Sequence, residues 1–242
     1  MRRDYRRWRS PALHRDMELL IFGHAGAKVL MFPTREGRFW EYEKLKIVAS
    51  LGSKVEAGHL QLFCVEGLAH ETFYDAGRHP AERIRRLADF EAYLLHEVLP
   101  LMAYENSHDC TIAMGCSLGA FQAASLAFRH PHLFRKLVAL SGRYDLTSKI
   151  EAFEDLFDGY YDENVYFQTP LHFLPSLNCP WRVESLRRLD VVLAVGREDP
   201  FLDNNFRLSA LLHDKGVRHC LHLWDGRAHR ASAWRGMAAL YV

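Results

Sequence analysis

The sequence lacks the features of a cysteine-stabilised, zinc-binding or membrane-spanning protein. Its five cysteines are odd in number and widely spaced, and they include no CxxC pair, so neither a disulfide framework nor a metal site is expected. No segment approaches the roughly 18 to 20 apolar residues of a membrane helix, since even residues 92–102 include His96 and Glu97. An apolar secretory segment near Met1 is also lacking, which favours a cytoplasmic location.

A strong net charge is lacking as well. There are 31 lysines and arginines against 30 acidic residues, which leaves a formal charge of +1. Such a balance does not favour nucleic acid or an anionic membrane as the partner. Five arginines do occur among the first nine residues, but the run is short and contains Asp4. We therefore interpret this stretch as a solvated leader.

Short apolar runs alternate with longer stretches of helical period along all 242 residues, 49% of which are hydrophobic. This pattern predicts one domain over residues 1–242, with a seven- or eight-stranded, mostly parallel sheet and helices on both faces. The turn-rich segment GHAG between two apolar runs predicts an antiparallel hairpin near one sheet edge. The strands are expected at residues 17–22, 28–32, 59–65, 110–114, 136–141, 190–195 and 220–224, and the helices at residues 40–51, 80–99 and 120–128.

Residues 144–189 depart from this alternation. They are aromatic, contain Pro170, Pro175 and Pro180, and lie between two predicted strands, so they form an insertion that could act as a partial lid. The aromatic side chains could line an acyl pocket, or they could be the packed core of the insertion. They are Phe153, Phe157, Tyr160, Tyr161, Tyr166, Phe167 and Phe173.

The pentapeptide GCSLG at residues 115–119 follows the apolar strand that contains Ile112 and precedes an alanine-rich helix. A G-x-S-x-G pattern in this position is typical of a nucleophile elbow, in which a sharp turn projects the serine above the sheet. Ser117 is the candidate nucleophile. A capped glycine-rich turn would explain the pattern without catalysis.

A serine nucleophile needs a histidine base and a carboxylate, expected in the chain order Ser, acid, His. Asp199 follows the strand at residues 190–195 and is the candidate acid, with Glu198 and Asp203 as rivals, whereas Asp190 lies at the wrong end of that strand. His229 is the candidate base because it alone follows the last strand. The other later histidines are His213, His219 and His222.

Acyl transfer also needs two N–H donors for the developing oxyanion. Leu118, the residue after the nucleophile, is expected to supply one. The other should come from the loop after residues 28–32, where Pro33 has no N–H. We prefer the backbone of Arg35, with Thr34 as the alternative, and the Arg35 side chain could also meet an acidic group of a substrate.

The order of these segments resembles the Putative esterase family of α/β-hydrolases, whose relatives include S-formylglutathione hydrolases and mycobacterial mycolyltransferases. The similarity extends over nearly the whole chain, including Ser10 to Leu13, Phe32 to Thr34, the GCSLG elbow and the segment WDGRAH ending at His229. The resemblance implies that Ser117, Asp199 and His229 form a catalytic triad, with Leu118 and Arg35 as oxyanion donors. The lipase-type HGGG segment is absent.

The expected activity is therefore serine-dependent hydrolysis of a small-molecule carboxylic ester through an acyl-enzyme, without a cofactor or metal. The alternatives are an acyltransferase or thioesterase, and a noncatalytic α/β-hydrolase scaffold that binds ligands. The sequence leaves the acyl length, the alcohol group and the oligomeric state open.

Overall fold

A computed structural model describes residues 1–35 and 37–242 of the chain. The described residues form an eight-stranded sheet in the order β1-β2-β4-β3-β5-β6-β7-β8. The two strands at one edge, β1 and β2, run antiparallel to their neighbours, and the pairs from β4 through β8 are parallel. The strands are β1 Arg3–Arg9, β2 Asp16–Phe22, β3 Ala27–Phe32, β4 Leu60–Val65, β5 Thr111–Cys116, β6 Lys136–Leu140, β7 Asp190–Gly196 and β8 His219–Trp224.

Helices cover both faces of the sheet, as the alternating pattern predicts. Successive residues of β3 show this, because Leu30 and Phe32 pack with the apolar faces of α4 and α6, whereas Val29 and Met31 pack on the other side with α2 and α11. The helices are α1 Glu41–Lys44, α2 Ile47–Ser50, α3 Gly52–Glu56, α4 Pro80–Tyr93, α5 Leu99–Glu105, α6 Leu118–Arg129, α7 Glu163–Gln168, α8 Pro170–Phe173, α9 Pro180–Arg187, α10 Leu202–Asp214 and α11 Ala231–Tyr241.

The predicted hairpin between the second and third strands is wrong. β4 lies between β2 and β3, antiparallel to the first and parallel to the second. Both strands are buried along almost their whole length, so each needs a neighbour on either side, which an edge hairpin would not provide. The connecting loop passes so close to β4 that a Cβ on Gly26 would lie 2.2 Å from the His59 carbonyl oxygen.

The arginine-rich N-terminus is an edge strand and not a solvated leader. β1 pairs with β2 over seven residues, and its alternate side chains are half-buried. Among them, the Trp8 ring stacks on Tyr93 with centroids 5.7 Å apart, and its Nε1–H donates to Glu97 at 2.7 Å. Three of its four arginines, Arg3, Arg7 and Arg9, are at exposed positions, and this high charge hides the strand in the sequence.

Two helix predictions differ from the structure in detail. The stretch at residues 40–51 is broken at Lys46, whose φ of 58° is left-handed, so that Tyr42 and Ile47 can both be buried. In a continuous helix these two would lie roughly 140° apart, at about 100° per residue. The stretch at residues 80–99 is helical as predicted, but near its end the helix widens into a π-helical turn at Leu94–Val98, next to Pro100.

Residues 144–189 contain three short helices and an irregular first part that includes an isolated bridge between Ile150 and Phe153. This first part is held by the buried guanidinium of Arg143, which donates to the carbonyl oxygens of Asp145 at 3.0 Å, Ser148 at 2.7 Å and Glu154 at 2.9 Å. One side chain thus fixes three points of the loop.

No helix in the described part of the chain is both long and apolar enough to span a bilayer.

Candidate active site

Ser117 lies at the turn between β5 and α6 with φ 56° and ψ −120°, a conformation that costs free energy for a residue with a Cβ. Its N–H donates to the Leu140 carbonyl at the end of β6, at 2.8 Å, and its carbonyl accepts from Ala120 at 3.0 Å. The neighbouring sheet and the helix therefore hold the strained backbone. The predicted nucleophile elbow has the expected geometry.

The two glycines of the pentapeptide are required by close backbone contacts. A Cβ on Gly115 would lie 2.1 Å from the carbonyl group of Gly119, and a Cβ on Gly119 would lie 2.1 Å from the Phe32 carbonyl oxygen. Side chains essentially never approach so closely, so larger residues would push α6 away from β5 and β3.

The structure brings together the three residues predicted as a triad. His229 Nε2 lies 3.0 Å from Ser117 Oγ, and His229 Nδ1 lies 2.9 Å from Asp199 Oδ2. Because an ionised carboxylate can only accept, this arrangement places the ring hydrogen on Nδ1 and leaves Nε2 to accept from the serine hydroxyl. The Asp199 side chain is fully buried and that of His229 is 16% exposed.

The loops that carry the acid and the histidine pack directly against each other. A Cβ on Gly196, at the end of β7, would lie 2.1 Å from the Arg227 carbonyl oxygen. The Glu198 N–H donates to the Gly226 carbonyl at 3.0 Å. Asp199 is fixed further by its second carboxylate oxygen, which accepts from the Phe201 N–H at 3.0 Å. The carboxylate thus has a defined orientation before any substrate binds.

The rival acids are placed elsewhere. Glu198 and Asp203 are exposed, and Asp190 lies at the opposite end of β7, 3.7 Å from Arg218.

The rival histidines also have other contacts. His213 is exposed on α10, His219 contacts Ser209 Oγ at 2.9 Å, and the His222 ring stacks on Tyr241 with centroids 4.4 Å apart. Of the four histidines after Asp199, all of which the structure describes, His229 is the one that contacts Ser117.

Two aromatic rings hold the imidazole of His229. Phe201 packs edge-on with centroids 5.6 Å apart, and Trp234 of α11 does so at 5.3 Å. The Trp234 Nε1–H donates to Ser141 Oγ at 3.2 Å, which fixes the indole in turn. These contacts limit rotation of the imidazole and cover part of its surface.

The structure distinguishes between the two candidates for the second oxyanion donor. The Thr34 N–H already donates to the buried carboxylate of Glu41 at 2.7 Å, and the Thr34 hydroxyl donates to the same carboxylate. An N–H in such a charge-assisted bond is not available to a substrate, which favours Arg35. Leu118 begins α6, where the first N–H groups have no intrahelical acceptor.

Sequence reasoning missed Glu41 and Tyr42, which hold this oxyanion loop (residues 33–35) against the elbow. The Tyr42 hydroxyl donates to the Phe32 carbonyl at 2.6 Å and accepts from the Cys116 N–H at 2.9 Å. Burial raises the pKa of Tyr42 well above its ordinary value, so the hydroxyl keeps its proton. No sequence motif identifies Glu41 and Tyr42. The one indication in the sequence is that a polar residue occupies a helix position expected to face the core.

A cleft of about 550 Å³ opens beside the oxyanion loop. Its lining includes Arg35 and Tyr74, together with Arg143 and residues 152–156 of the insertion. Of the seven aromatic residues singled out in the insertion, Phe153 alone lines this cleft.

Two of the remaining insertion aromatics are buried and serve packing, whereas Phe167 is 53% exposed. Phe157 is 1% exposed and Phe173 is 6% exposed. Tyr166 and Phe167 pack on each other near the end of α6, with centroids 5.0 Å apart.

The eight-stranded sheet and the elbow between β5 and α6 define an α/β-hydrolase, which confirms the expected fold. The chain matches the model of the family Esterase, described as Putative esterase, over residues 71–236, more than two thirds of its length. It therefore belongs to that esterase family and is a serine hydrolase by class. No curated protein is significantly similar to it in sequence.

Solved structures show the same fold at low sequence identity. A ferulic acid esterase is 17% identical with a TM-score of 0.72, and the alignment covers 97% of this chain and 93% of that one. The S-formylglutathione hydrolase FrmB from Staphylococcus aureus is 12% identical with a TM-score of 0.69, covering 98% and 96%. The enterobactin esterase FES from Shigella flexneri is 22% identical with a TM-score of 0.68, covering 99% of this chain but 57% of the larger protein.

Proposed function

We propose that this protein hydrolyses carboxylic esters of small molecules through an acyl-enzyme on Ser117. The observation that carries the proposal is the continuous set of contacts from Ser117 Oγ through His229 to Asp199, at 3.0 and 2.9 Å. The three side chains are supplied by three separate loops at the carboxyl ends of parallel strands. A noncatalytic scaffold would have no need to retain this alignment, and the strained backbone of Ser117 would cost stability without benefit.

In the proposed acylation step, Ser117 Oγ attacks the ester carbonyl while His229 Nε2 accepts the hydroxyl proton. The carbonyl oxygen becomes an oxyanion, which accepts hydrogen bonds from the backbone N–H groups of Leu118 and Arg35. When the tetrahedral intermediate collapses, the imidazolium returns the proton to the leaving alcohol. The acyl group then remains on Ser117 as an ester.

Deacylation repeats the sequence with water as the nucleophile. His229 Nε2 accepts a proton from water, the water oxygen adds to the acyl carbon, and the carboxylic acid leaves as Ser117 regains its proton. Asp199 stabilises the imidazolium in both steps and keeps the ring hydrogen on Nδ1. Its buried carboxylate favours a neighbouring positive charge more strongly than an exposed one would.

We further propose that residues 144–189 act as a partial lid. Residues 152–156 form one wall of the cleft, and their position depends on the hydrogen bonds from Arg143. The chemistry requires neither a nucleic-acid partner nor a cofactor.

The proposal is tested with a panel of 4-nitrophenyl esters and thioesters and with a fluorophosphonate probe. We expect the probe to label Ser117, and Ser117→Ala to lower kcat by about four orders of magnitude or more. Ser53→Ala, at an exposed serine of α3, is the matched control and should retain full activity. Labelling at another residue, or unchanged activity in Ser117→Ala, would exclude the mechanism. Product analysis with added alcohol or thiol acceptors separates hydrolysis from acyl transfer.

A further inference from the structure

We infer that the cleft beside the oxyanion loop is a subsite for an anionic group, a carboxylate, carried by the ester substrate. Arg35 and Arg143 are the residues that would bind it. The inference rests on the proposed function and extends it to the class of substrate.

The position of the cleft places it next to the reacting atoms. Arg35 belongs to the oxyanion loop itself. In addition, Phe201 contacts both the His229 ring, with centroids 5.6 Å apart, and the Phe153 ring, at 4.7 Å. Phe153 lines the cleft, so a single side chain, that of Phe201, links the triad to the cleft. A substrate bound to Ser117 could therefore extend into the cleft.

Several charged residues of the cleft are already used within the protein. The Asp158 carboxylate is paired with Arg83, and the Glu154 carboxylate with Lys149 at 2.7 Å. The Asp155 carboxylate accepts from two backbone N–H groups, those of Phe157 at 2.7 Å and Gly159 at 2.8 Å. Asp158 and Glu154 are thus paired with cations of the protein, whereas Asp155 is held by neutral donors and acts on the Arg143 charge from beyond 4.0 Å.

Arg35 and Arg143 differ from these residues. Among residues 1–35 and 37–242, neither guanidinium has a carboxylate within 4.0 Å, although Arg143 is only 5% exposed. The bonds that Arg143 makes go to neutral carbonyl oxygens. The nearby Asp145 carboxylate is engaged by Thr147 and Ser148, at 2.7 and 2.6 Å. A largely desolvated cation without a paired anion is unfavourable, so an incoming carboxylate would be stabilised there.

Each of the two cations lies against an aromatic ring near the cleft. The Arg35 guanidinium lies 4.4 Å from the centre of the Tyr74 ring. Burial raises the pKa of Tyr74, while the positive charges of Arg35 and Arg143 act to lower it. The Arg143 guanidinium lies 5.9 Å from the centre of the Phe201 ring, which also contacts His229. Both guanidinium groups therefore line the cleft, and Phe73 and Phe153 supply apolar surface for the rest of a substrate. Arg35 can bind a carboxylate through two parallel hydrogen bonds, whereas Arg143, whose Nε and one Nη already donate to carbonyl oxygens, would offer its other Nη and its charge. Both contributions favour an anion over a cation or a neutral chain.

The test compares anionic and neutral esters in two matched pairs. In the first, the carboxylate is on the leaving group, as 4-carboxyphenyl butanoate against 4-carbamoylphenyl butanoate. In the second it is on the acyl group, as the 4-nitrophenyl monoester of adipic acid against its methyl ester. Each ratio of kcat/KM is divided by the ratio of spontaneous hydrolysis rates, which removes differences in intrinsic reactivity.

We expect the wild-type protein to prefer the anionic member of at least one pair by about tenfold or more, since a hydrogen bond to a charged group typically contributes that much. Arg35→Gln and Arg143→Gln should reduce this preference to near one, and Arg35→Lys should retain part of it. Arg38→Gln is the matched control, because Arg38 is close in sequence but pairs with Glu66 at 3.3 Å, and it should keep the preference. Thermal unfolding of each variant shows whether Arg143→Gln has folded.

A wild-type ratio of one or less in both pairs would overturn the subsite, as would an anion preference that survives both arginine substitutions. If neutral esters are hydrolysed without a preference for the anion, the subsite fails and the proposed function stands. Binding of the preferred anionic ester to Ser117→Ala, measured by calorimetry with and without Arg35→Gln, tests the subsite independently of turnover. Weaker binding in the double variant supports it, and equal binding contradicts it.

Discussion

The elbow and the insertion are held in place by different kinds of contact. At the elbow, α6 approaches β3 and β5 so closely that Gly119 and Gly115 have no space for a side chain. In the insertion, the chain is held by side chains, chiefly by Arg143 and by the Asp145 carboxylate. Backbone contact leaves a recognisable glycine pattern in the sequence, whereas a guanidinium that binds carbonyl oxygens leaves none. The elbow is thus the more predictable of the two regions and the less tolerant of change.

A glycine-to-alanine substitution in each region tests most strongly whether the elbow tolerates less change than the insertion. Gly119→Ala would place a Cβ 2.1 Å from the Phe32 carbonyl oxygen, so we expect a loss of at least about 3 kcal/mol in the free energy of unfolding and no measurable ester hydrolysis. Gly159→Ala in the insertion meets open space and is strained only by its φ of 81°, so it should cost about 1 kcal/mol and keep activity. Urea unfolding and initial rates measure both. Equal effects of the two substitutions would refute the comparison.

Substitutions in the loop that carries Asp199 should affect catalysis while leaving the fold intact, which is a smaller overall effect than that of Gly119→Ala. Asp199→Asn should lower kcat by about four orders of magnitude, because an amide neither stabilises the imidazolium nor keeps the ring hydrogen on Nδ1. Glu198→Gln changes an exposed neighbour and should leave kcat within about twofold. Steady-state kinetics near neutral pH provide the measurement. If the Glu198 variant were the more impaired, the acid would have to be reassigned.

Much of the site could be predicted because its residues follow strand ends. Ser117, Asp199 and His229 come after β5, β7 and β8, and in a parallel sheet these ends meet at one edge. Strand positions in sequence were therefore sufficient to bring the three together. The hairpin between β2 and β3 was predicted wrongly because it was inferred from the turn between them alone. Turn residues do not reveal that a later strand, β4, lies between β2 and β3 in the sheet.

The support of the oxyanion loop could not be predicted. Glu41 is buried in the first turn of a short helix, and its link to Thr34 is a tertiary contact with no spacing rule behind it. The helix itself was expected to continue through Lys46, which instead adopts a left-handed conformation. Buried polar residues of this kind are specified by the packing around them and by the partner they must satisfy.

Disrupting this support should have an intermediate effect. Glu41→Ala leaves the Thr34 N–H without its acceptor and lets the loop move, so we expect kcat to fall by about tenfold to a hundredfold with a smaller change in KM. Glu41→Gln should recover part of the activity because the amide can still accept from one Thr34 group. Glu43→Ala, which removes an exposed partner of Arg3, is the control and should have normal kinetics. An unchanged kcat in Glu41→Ala would show that the loop does not depend on this carboxylate.

The smallest expected effect lies in the insertion, where Phe153 is the aromatic residue that we expect to influence substrate preference. Phe153 lines the cleft and contacts Phe201, whereas the Tyr160 hydroxyl donates to Asp162 at 2.9 Å and its ring packs on His79. Phe153→Ala should widen the cleft and shift the ranking of kcat/KM across 4-nitrophenyl esters toward longer acyl chains, by up to about tenfold. Tyr160→Ala should keep the parent ranking, and both variants should keep the fluorophosphonate labelling of Ser117. If Phe153→Ala also keeps the ranking, the insertion contributes packing alone. The two regions would then differ in catalysis as well as in stability, because the elbow would carry the chemistry while the insertion would have no influence on which acyl length is preferred.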